Sequence, residues 1–280
     1  MIWRFRGRTL DLTTRGVIVG IVNVTPDSFS DGGACPDPAA AADHGLRILA
    51  EGASFLDVGG ESTRPGSRPV TEEEELGRVI PAIAALRRET DAPISVDTSK
   101  AAVARAALDA GADIINDVTA LGDPGMGDVV AGYGAGLILM HMNGIPATMQ
   151  EAPFYPEDDV VSEVSKYLSG RRDAALGFGV DTAAILLDPG LGFGKTVDHN
   201  FSLLRGIPCL AGLGSPLLIG HSRKSFLGPV PEGETPARAR LSAGVAVTAL
   251  ARTLGARLFR VHDVPAHLSA LRMAEELLPV

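Results

Sequence analysis

Three residues carry side chains suited to a flat ring with several N–H donors: Asp97, Asn116 and Asp188. Carboxylate and amide oxygens accept hydrogen bonds from such donors, and an amide also donates. Each residue stands near the end of a short apolar run, in "PISVDT", "DIINDV" and "ILLDPG" respectively. These residue types therefore favour binding of a nitrogen-rich heterocycle.

A second group of side chains suits phosphate oxygens. Arginine, lysine and histidine bind phosphate through charge-assisted hydrogen bonds, and the candidates are Arg64, Lys224, Arg260 and His262. Asn23 and the loop hydroxyls after it suit Mg²⁺ on a diphosphate, because Mg²⁺ uses few protein ligands and keeps several waters. The two groups together indicate a heterocycle that carries an anionic leaving group.

Each of these residues also has a structural interpretation. Asp97 or Asp188 can cap the helix after its strand, and Asn116 can satisfy backbone groups in a buried turn. Asp57 fits a structural role, and His141 in "MHM" fits a hydrogen-bonded core histidine. Polar residues nevertheless recur at nearly every run. The further members of this predicted ring are Asp57, Glu61, Ser62, Thr63, Thr98, Asp117, His141, His221, Ser222, Arg223 and Asp263.

Eight short apolar runs are predicted to be the strands that position these side chains. Bounded by Gly, Pro or Asp, they are typical of buried parallel strands, and they cover 17–23, 54–60, 93–98, 113–118, 136–142, 185–190, 216–222 and 258–264. Amphipathic stretches between them predict helices. One of these begins at Thr71 with a predicted capping box.

Eight strand–helix units in about 250 residues predict an α/β fold, a (β/α)8 TIM barrel formed by a single domain over 1–280. A doubly wound sheet is the alternative. The opening segment "WRFRGRTLDL" is expected to form a short hairpin that closes the bottom of the barrel. Active sites of this fold lie at the carboxyl ends of the strands, where the polar residues cluster.

Composition excludes several classes of function. A net charge of -9 argues against nucleic acid as a partner. No apolar run approaches the roughly 18 residues of a membrane span, and the N-terminal residues lack the apolar core of a signal peptide. Two cysteines without metal-like spacing indicate a reducing compartment. We therefore expect a cytoplasmic protein.

Eight segments, in chain order, resemble the signature segments of the dihydropteroate synthase family. They are "NVTPDSFSDGG", "DVGGESTRPGS", "SVDTSK", "INDV", "MHM", "LDPGLGFGK", "SRKSFLG" and "RVHDV". The resemblance implies that 6-hydroxymethyl-7,8-dihydropterin diphosphate is joined to p-aminobenzoate to give 7,8-dihydropteroate and diphosphate. It also implies a Mg²⁺ cofactor, a homodimer, and sulfonamides as competitors of p-aminobenzoate.

The same resemblance assigns roles to individual residues. It places Asn23 on Mg²⁺ and diphosphate, and Arg260 and His262 on the diphosphate. The pterin-binding residues that it implies are Asp97, Asn116, Asp188 and Lys224, with Met140 and Phe193 beside the ring. The p-aminobenzoate site that it implies is formed by Phe29, Thr63, Arg64, Pro65 and Ser222.

The residues suit a dissociative substitution. Loss of diphosphate leaves a cation delocalised into the pterin ring, which fixed carboxylates stabilise. An arylamine is already neutral near pH 7, so no strong base is required, and Asp97, Asp188 and Lys224 are the expected catalytic residues. We further expect the loop over 20–33 to close over the substrate together with the "STRPGS" loop.

Two other functions remain as alternatives. A pterin-binding methyltransferase domain of the corrinoid type shares the barrel and the acidic pocket, but does not need the diphosphate-binding cations. A non-catalytic pterin-binding homologue is expected to have lost Asn23, Lys224 or Arg260, and all three are present.

Overall fold

The computed structural model describes residues 1–25, 37–63 and 66–278. Its strands are β1 (Ile2–Phe5), β2 (Arg8–Asp11), β3 (Val17–Asn23), β4 (Phe55–Gly59), β5 (Ile94–Asp97), β6 (Ile114–Asp117), β7 (Gly136–Met140), β8 (Ile185–Asp188), β9 (Leu218–Gly220) and β10 (Leu258–Val261). Each predicted run contains one of the strands from β3 to β10.

Helices follow these eight strands. They are α1 (Pro38–Ala50), α2 (Glu72–Glu89), α3 (Ala101–Asp109), α4 (Met126–Tyr133), α5 (Val160–Gly177), α6 (Val197–Arg205), α7 (Ile207–Ala211), α8 (Pro236–Thr253) and α9 (Val264–Glu276). The predicted capping box at Thr71 is confirmed, because its hydroxyl accepts from the Glu74 amide and the Glu74 carboxylate accepts from the Thr71 amide. In the part of the chain that the structure describes, no helix has the length and apolar content of a membrane span.

The eight strands from β3 to β10 form one closed parallel barrel. Around the sheet their order follows the chain from β3 to β8, and β10 lies between β3 and β9. A parallel bridge between Leu187 and Leu217 joins β8 to β9 and closes the ring, with the Leu187 amide 3.0 Å from the Pro216 carbonyl oxygen. The predicted (β/α)8 barrel is therefore confirmed, and the alternative prediction of a doubly wound sheet is wrong.

The N-terminal hairpin closes the bottom of the barrel, as predicted. β1 and β2 pair antiparallel, and alternation along β1 turns Trp3 and Phe5 inward while Ile2 stays exposed. Trp3 and Phe5 pack against the lower interior layer of the strands, which consists of Val17, Val19, Phe55, Ile114, Ile138, Leu186, Leu218 and Leu258.

Alternate residues of each strand face the helices instead. Residues such as Ile18, Leu56 and Val96 belong to the larger core between the sheet and its helices. Because side chains alternate along a strand, one set of positions fills the barrel and the other set binds the helices. The interior set continues upward from the apolar bottom layer to the carboxyl ends of the strands.

Candidate active site

Alternation along the strands brings most of the predicted site residues to one place. Counting in twos from the apolar bottom layer reaches the interior positions near the mouth of the barrel on every strand except β5, which has no residue in that layer. On β5, Ile94 and Val96 belong to the helix-facing core, so Asp97 has the opposite, interior orientation. The predicted residues at these positions are Asn23, Asp97, Asn116, Met140, Asp188, Ser222, Arg260 and His262. With Asp57 of β4, the site is therefore assembled from residues in or just after all eight strands, and these residues are distant in sequence.

Arg260 lies at the centre of this site and is held by two carboxylates. Its Nε donates to Asp57 Oδ2 and its Nη2 donates to Asp97 Oδ2 at 3.0 Å. Asn116 Nδ2 donates to the same Asp57 oxygen at 3.1 Å. Asp57 is only 1% exposed. Asp57 thus has the structural role predicted for it: its carboxylate fixes Arg260 and Asn116 inside the pocket.

The structural interpretations of Asn116 and Asp97 do not hold. The Asn116 amide donates to the Asp57 side chain and not to a backbone group of a turn. Lys100, not Asp97, precedes the first turn of α3. Both side chains are directed into the barrel interior, where Asn116 bonds Asp57 and Asp97 bonds Arg260.

A second cluster forms around the loop after β8. Asp188 Oδ1 accepts from the Gly190 amide at 2.7 Å. The Lys224 ammonium donates to the Leu191 carbonyl and lies 4.4 Å from the centroid of the Phe193 ring. Asp188 does not cap α6, because that helix is capped by the hydroxyl of Thr196. The structure therefore brings Asp188, Phe193 and Lys224 together.

The electrostatics of the pocket bring two pKa values close to neutrality. Burial raises the pKa of Asp97 to about 7, although Arg260 opposes the shift and Asp57 adds to it. Burial lowers the pKa of Lys224 to about 8, and the Asp188 carboxylate opposes that shift. Burial also raises the pKa of Asp188, while Lys224 and a bond from the Gly190 amide lower it. Such perturbed groups in one cleft are typical of functional sites.

The ends of β9 and β10 meet through Ser222 and His262. Ser222 Oγ accepts from the His262 amide at 3.2 Å and lies 3.0 Å from His262 Nδ1. Thr63 is half-buried at the end of the loop that leaves β4. The predictions for Phe29, Arg64 and Pro65, and for closure of the 20–33 loop, fall largely outside the described residues and stay predictions.

Three members of the predicted ring point away from the barrel interior. Asp117 accepts from the Thr119 amide at 2.8 Å, and His221 Nε2 lies 2.9 Å from the Gly244 carbonyl oxygen in α8. His141 Nδ1 lies 2.9 Å from Lys195 Nζ, and its ring packs edge-on against Tyr167 of α5. The interpretation of His141 as a hydrogen-bonded core histidine is correct, and the ring prediction is wrong for these three residues because they occupy the alternate, helix-facing positions.

Asn23 offers an oxygen ligand suited to Mg²⁺. It ends β3, is half-buried, and has the interior orientation that Val17 and Val19 have lower on the same strand. Among the residues described, no three His, Cys, Asp or Glu side chains group as an all-protein metal site. One amide oxygen fits a Mg²⁺ ion that is bound mainly by substrate phosphates and water.

Comparison with known proteins shows which family the chain matches. A family model described as "Pterin binding enzyme" matches residues 19–262. The dihydropteroate synthase of Escherichia coli K12 is 44% identical over 273 residues, covering 98% of this chain and 95% of that protein.

Two solved structures extend the comparison to the fold. The Yersinia pestis dihydropteroate synthase in a sulfonamide complex has a TM-score of 0.90 and 42% identity, covering 99% of this chain and 98% of that chain. The Xanthomonas albilineans dihydropteroate synthase in complex with 7,8-dihydropteroate has a TM-score of 0.87 and 46% identity, with both chains covered completely at 100%.

The barrel and its acidic pocket thus define the class of pterin-binding enzymes. Within this class the relatives are dihydropteroate synthases over nearly the whole chain. The chain belongs to the dihydropteroate synthase family. The corrinoid methyltransferase and the non-catalytic homologue are not favoured.

Proposed function

We propose that this chain is a transferase that joins 6-hydroxymethyl-7,8-dihydropterin diphosphate to p-aminobenzoate, giving 7,8-dihydropteroate and diphosphate for folate biosynthesis. The observation that carries the proposal is the convergence of Asp97, Asn116, Asp188 and Lys224 around Arg260 inside one barrel mouth. Its relatives carry the name of this activity.

The ring of the pterin is assigned to the deeper part of the pocket. Asp97, Asn116 and Asp188 offer oxygen acceptors to its N–H groups, and Met140 and Phe193 offer apolar contact to its faces. Lys224 reaches the same space from the loop after β9. These groups orient the ring before reaction, which is where fixed dipoles contribute most.

The leaving diphosphate is assigned to the mouth of the barrel. Arg260 lies on the interior face of β10, His262 follows the end of that strand, and Asn23 ends the neighbouring strand β3. Arg260 binds Asp57 and Asp97 at the same time, so an entering diphosphate competes with these carboxylates for the guanidinium. Release of Asp97 from that ion pair leaves its carboxylate free to bind the pterin.

Substitution then proceeds without a strong base. The pterin carbon loses diphosphate, and the resulting cation is stabilised by the Asp97 and Asp188 carboxylates in a partly dry pocket. The neutral amine of p-aminobenzoate attacks this carbon from the side of Thr63, Arg64 and Ser222. The proton lost by the amine passes to solvent or to the departing diphosphate.

Mg²⁺ is proposed as the cofactor, with Asn23 as its protein ligand. When bound, the ion neutralises charge that develops on the leaving diphosphate. The half-buried amide at the end of β3 supports this assignment. Replacement of Asn23 by alanine is expected to raise the Mg²⁺ concentration needed for half-maximal turnover, and an unchanged requirement would remove Asn23 from the site.

A homodimer and a cytoplasmic location are also proposed. Exposed apolar side chains on α8 and α9 support self-association, with Leu250 63% exposed and Met273 64% exposed. The location rests on the two cysteines without metal-like spacing, which indicate a reducing compartment. Sulfonamides are expected to compete with p-aminobenzoate, which the sulfonamide complex of the Yersinia pestis relative supports.

A diphosphate-release assay tests the proposed reaction. The protein is expected to release diphosphate when the pterin diphosphate, p-aminobenzoate and Mg²⁺ are all present, in equal amounts with 7,8-dihydropteroate. Asp188→Asn keeps the shape of the side chain but removes its charge, so turnover is expected to fall about 100-fold or more.

An Asp181→Asn variant serves as the control, since Asp181 is exposed beside the Thr182–Ala184 turn. Its turnover is expected to match the wild type. Absence of diphosphate release by the wild-type protein with both substrates would overturn the proposal, as would full activity of Asp188→Asn.

A further inference from the structure

A charged cluster lies beside the pocket and includes a lysine that the sequence analysis did not single out. Lys100 Nζ donates to Glu75 Oε2 at 2.5 Å and also to Glu61 Oε2. Glu61 begins the loop after β4, Glu75 lies in the first turns of α2, and Lys100 follows β5. One ammonium thus joins three separate segments of the barrel mouth.

Glu61 also closes the loop in which it lies. Its second oxygen, Oε1, accepts from the Val70 amide at 3.2 Å, so one carboxylate connects the two ends of the segment 61–70. Arg78 of α2 supports the same end of the segment by donating to the Gly60 carbonyl at 3.0 Å. The loop is therefore closed at its base by side chains.

Burial makes this cluster stronger than an ordinary surface ion pair. The Glu75 side chain is 1% exposed, and those of Glu61 and Lys100 are 22% and 23% exposed. Burial lowers the pKa of Lys100, but its hydrogen bonds to Glu61 and Glu75 more than compensate, and the net pKa lies above the ordinary value. Lys100 is accordingly charged at neutral pH, and charge-assisted bonds of this kind are stronger than neutral ones.

The loop also contacts the neighbouring segment of the barrel mouth. The Gly66 amide donates to the Pro146 carbonyl at 2.9 Å, linking the loop to the segment after β7. The pterin-binding groups, by contrast, stand on β5, β6 and β8 and are held by the strand hydrogen bonds of the barrel. Loosening the cluster is therefore expected to move the loop more than the pterin pocket.

We propose that Glu61 and Lys100 are positioning residues that hold Thr63 and residues 66–70 in place for the arylamine substrate. The inference rests on the proposed function, which assigns p-aminobenzoate to this loop. Neither residue contacts the reacting atoms in this account. Their effect is selective, because the loop binds one substrate and the strands bind the other.

Two substitutions at Glu61 test the proposal without leaving the buried Glu75 carboxylate unpaired. Glu61→Ala removes both the Lys100 and Val70 contacts, and Glu61→Gln removes only the charge. The KM for p-aminobenzoate is expected to rise about tenfold in the alanine variant and about threefold in the glutamine variant, as expected for loss of a charge-assisted bond. The dissociation constant of the pterin diphosphate, measured by calorimetry without p-aminobenzoate, is expected to change less than about twofold.

Hydrogen exchange gives a readout that does not depend on activity. The backbone amides of Gly66, Ser67, Arg68 and Val70 are expected to exchange about tenfold faster in Glu61→Ala, because the Val70 amide loses its acceptor and the base of the loop is released. Glu163→Ala is the matched control, since it breaks an exposed Glu163–Lys166 pair on α5. That control is expected to leave the KM for p-aminobenzoate and the exchange of residues 66–70 unchanged.

Two results would overturn the positioning role. One is an unchanged KM for p-aminobenzoate in Glu61→Ala. The other is an equal loss of affinity for both substrates, which would indicate general distortion of the barrel mouth. Lack of diphosphate release by the wild-type protein would instead contradict the proposed function, and faster exchange of residues 66–70 in Glu61→Ala would still support the loop closure itself.

Discussion

The protonation state of Asp97 affects both the stability of the folded protein and the binding of substrate. Burial raises its pKa from the ordinary value of 3.8 to about 7, even with Arg260 bound to it. The folded protein therefore binds a proton at Asp97 more tightly than the unfolded chain does. Ionisation of this carboxylate near neutral pH lowers the free energy of unfolding. A substrate rich in N–H donors offsets this loss, because its hydrogen bonds stabilise the ionised form.

A pH titration of stability tests this account of Asp97. Because the folded pKa is raised, the wild-type protein loses stability relative to Asp97→Asn as the pH rises from about 4 to about 7. The free energy of unfolding of Asp97→Asn minus that of the wild type is expected to increase over this range by on the order of 4 kcal/mol. Above the folded pKa the difference is expected to be constant.

Urea unfolding of both proteins at a series of pH values gives the measurement. Groups other than Asp97 that titrate in both proteins cancel in the difference to first order. A difference that stays flat from acid to neutral pH would contradict a raised pKa, and a decrease would indicate that Arg260 dominates over burial.

Much of the site is predictable from residue types in the sequence. A buried strand needs no charged or amide side chain for its packing, so such a side chain at the strand's end indicates a functional role. Asp97, Asn116 and Asp188 were assigned in this way, and the structure brings them together. Lys100 and Glu75 carried no comparable signal. Glu75 is one of several successive glutamates in α2, and only the packing of that helix decides which of them is buried.

Alternation along the strands decides which polar residues reach the pocket. Asp117 and His221 each adjoin an interior position, yet they face the helices because neighbouring residues of a strand point to opposite sides. Strand boundaries from sequence are uncertain by a few residues, but the alternation is fixed once one buried apolar residue is assigned to the interior. The orientation of Asp117 was thus predictable from Ile114, whereas the orientation of His221 depended on recognising Leu218 as an interior residue.

The loop after β8 depends on backbone geometry that only glycine supplies. Gly190 has φ +66, and a Cβ atom at this position would lie 1.9 Å from the His141 carbonyl oxygen. The close approach matters because the Gly190 amide also donates to Asp188 Oδ1. The glycine-rich "GLGFG" segment thus positions a carboxylate of the pocket.

Gly190→Ala tests the importance of this approach. Both the positive φ and the overlap with His141 disfavour a side chain, so we expect a loss of more than about 2 kcal/mol in the free energy of unfolding. Turnover in the diphosphate-release assay is expected to fall as well, because the backbone shift that relieves this overlap moves the amide of residue 190 away from Asp188 Oδ1. Gly170→Ala is the matched control, since a Cβ atom there meets nothing within 4 Å in the exposed face of α5. It is expected to stabilise the protein by about 0.5–1 kcal/mol.

At the scale of the whole molecule, stability and chemistry are placed at opposite ends of the barrel. The bottom is filled by the apolar layer and by the hairpin, while the mouth carries the charged groups. This division is common in the fold, because the interior layers can be packed independently of the loops at the carboxyl ends. Sequence predicted the hairpin from its apolar residues and turn, but it did not predict which barrel residues Trp3 contacts, since these come from strands far apart in the chain.

Trp3 is the largest side chain of the hairpin that closes the barrel bottom. Its substitution tests how much this hairpin contributes to the stability of the fold. It is 0% exposed, its Nε1 donates to the Ala184 carbonyl at 2.8 Å, and its ring lies 4.7 Å from that of Phe5. Trp3→Ala leaves a cavity and an unpaired carbonyl, so the free energy of unfolding is expected to fall by about 3–5 kcal/mol.

Ile2→Ala is the control in the same strand, because Ile2 is 43% exposed on the opposite face of β1. It is expected to change stability by less than about 1 kcal/mol. Urea unfolding measures both effects. The KM values for the two substrates are expected to stay at the wild-type level in either variant, because the hairpin lies at the end of the barrel away from the mouth.

Equal destabilisation by the two substitutions would show that the hairpin does not close the barrel through its inward face. A selective change in KM would show that the bottom of the barrel is coupled to the active site.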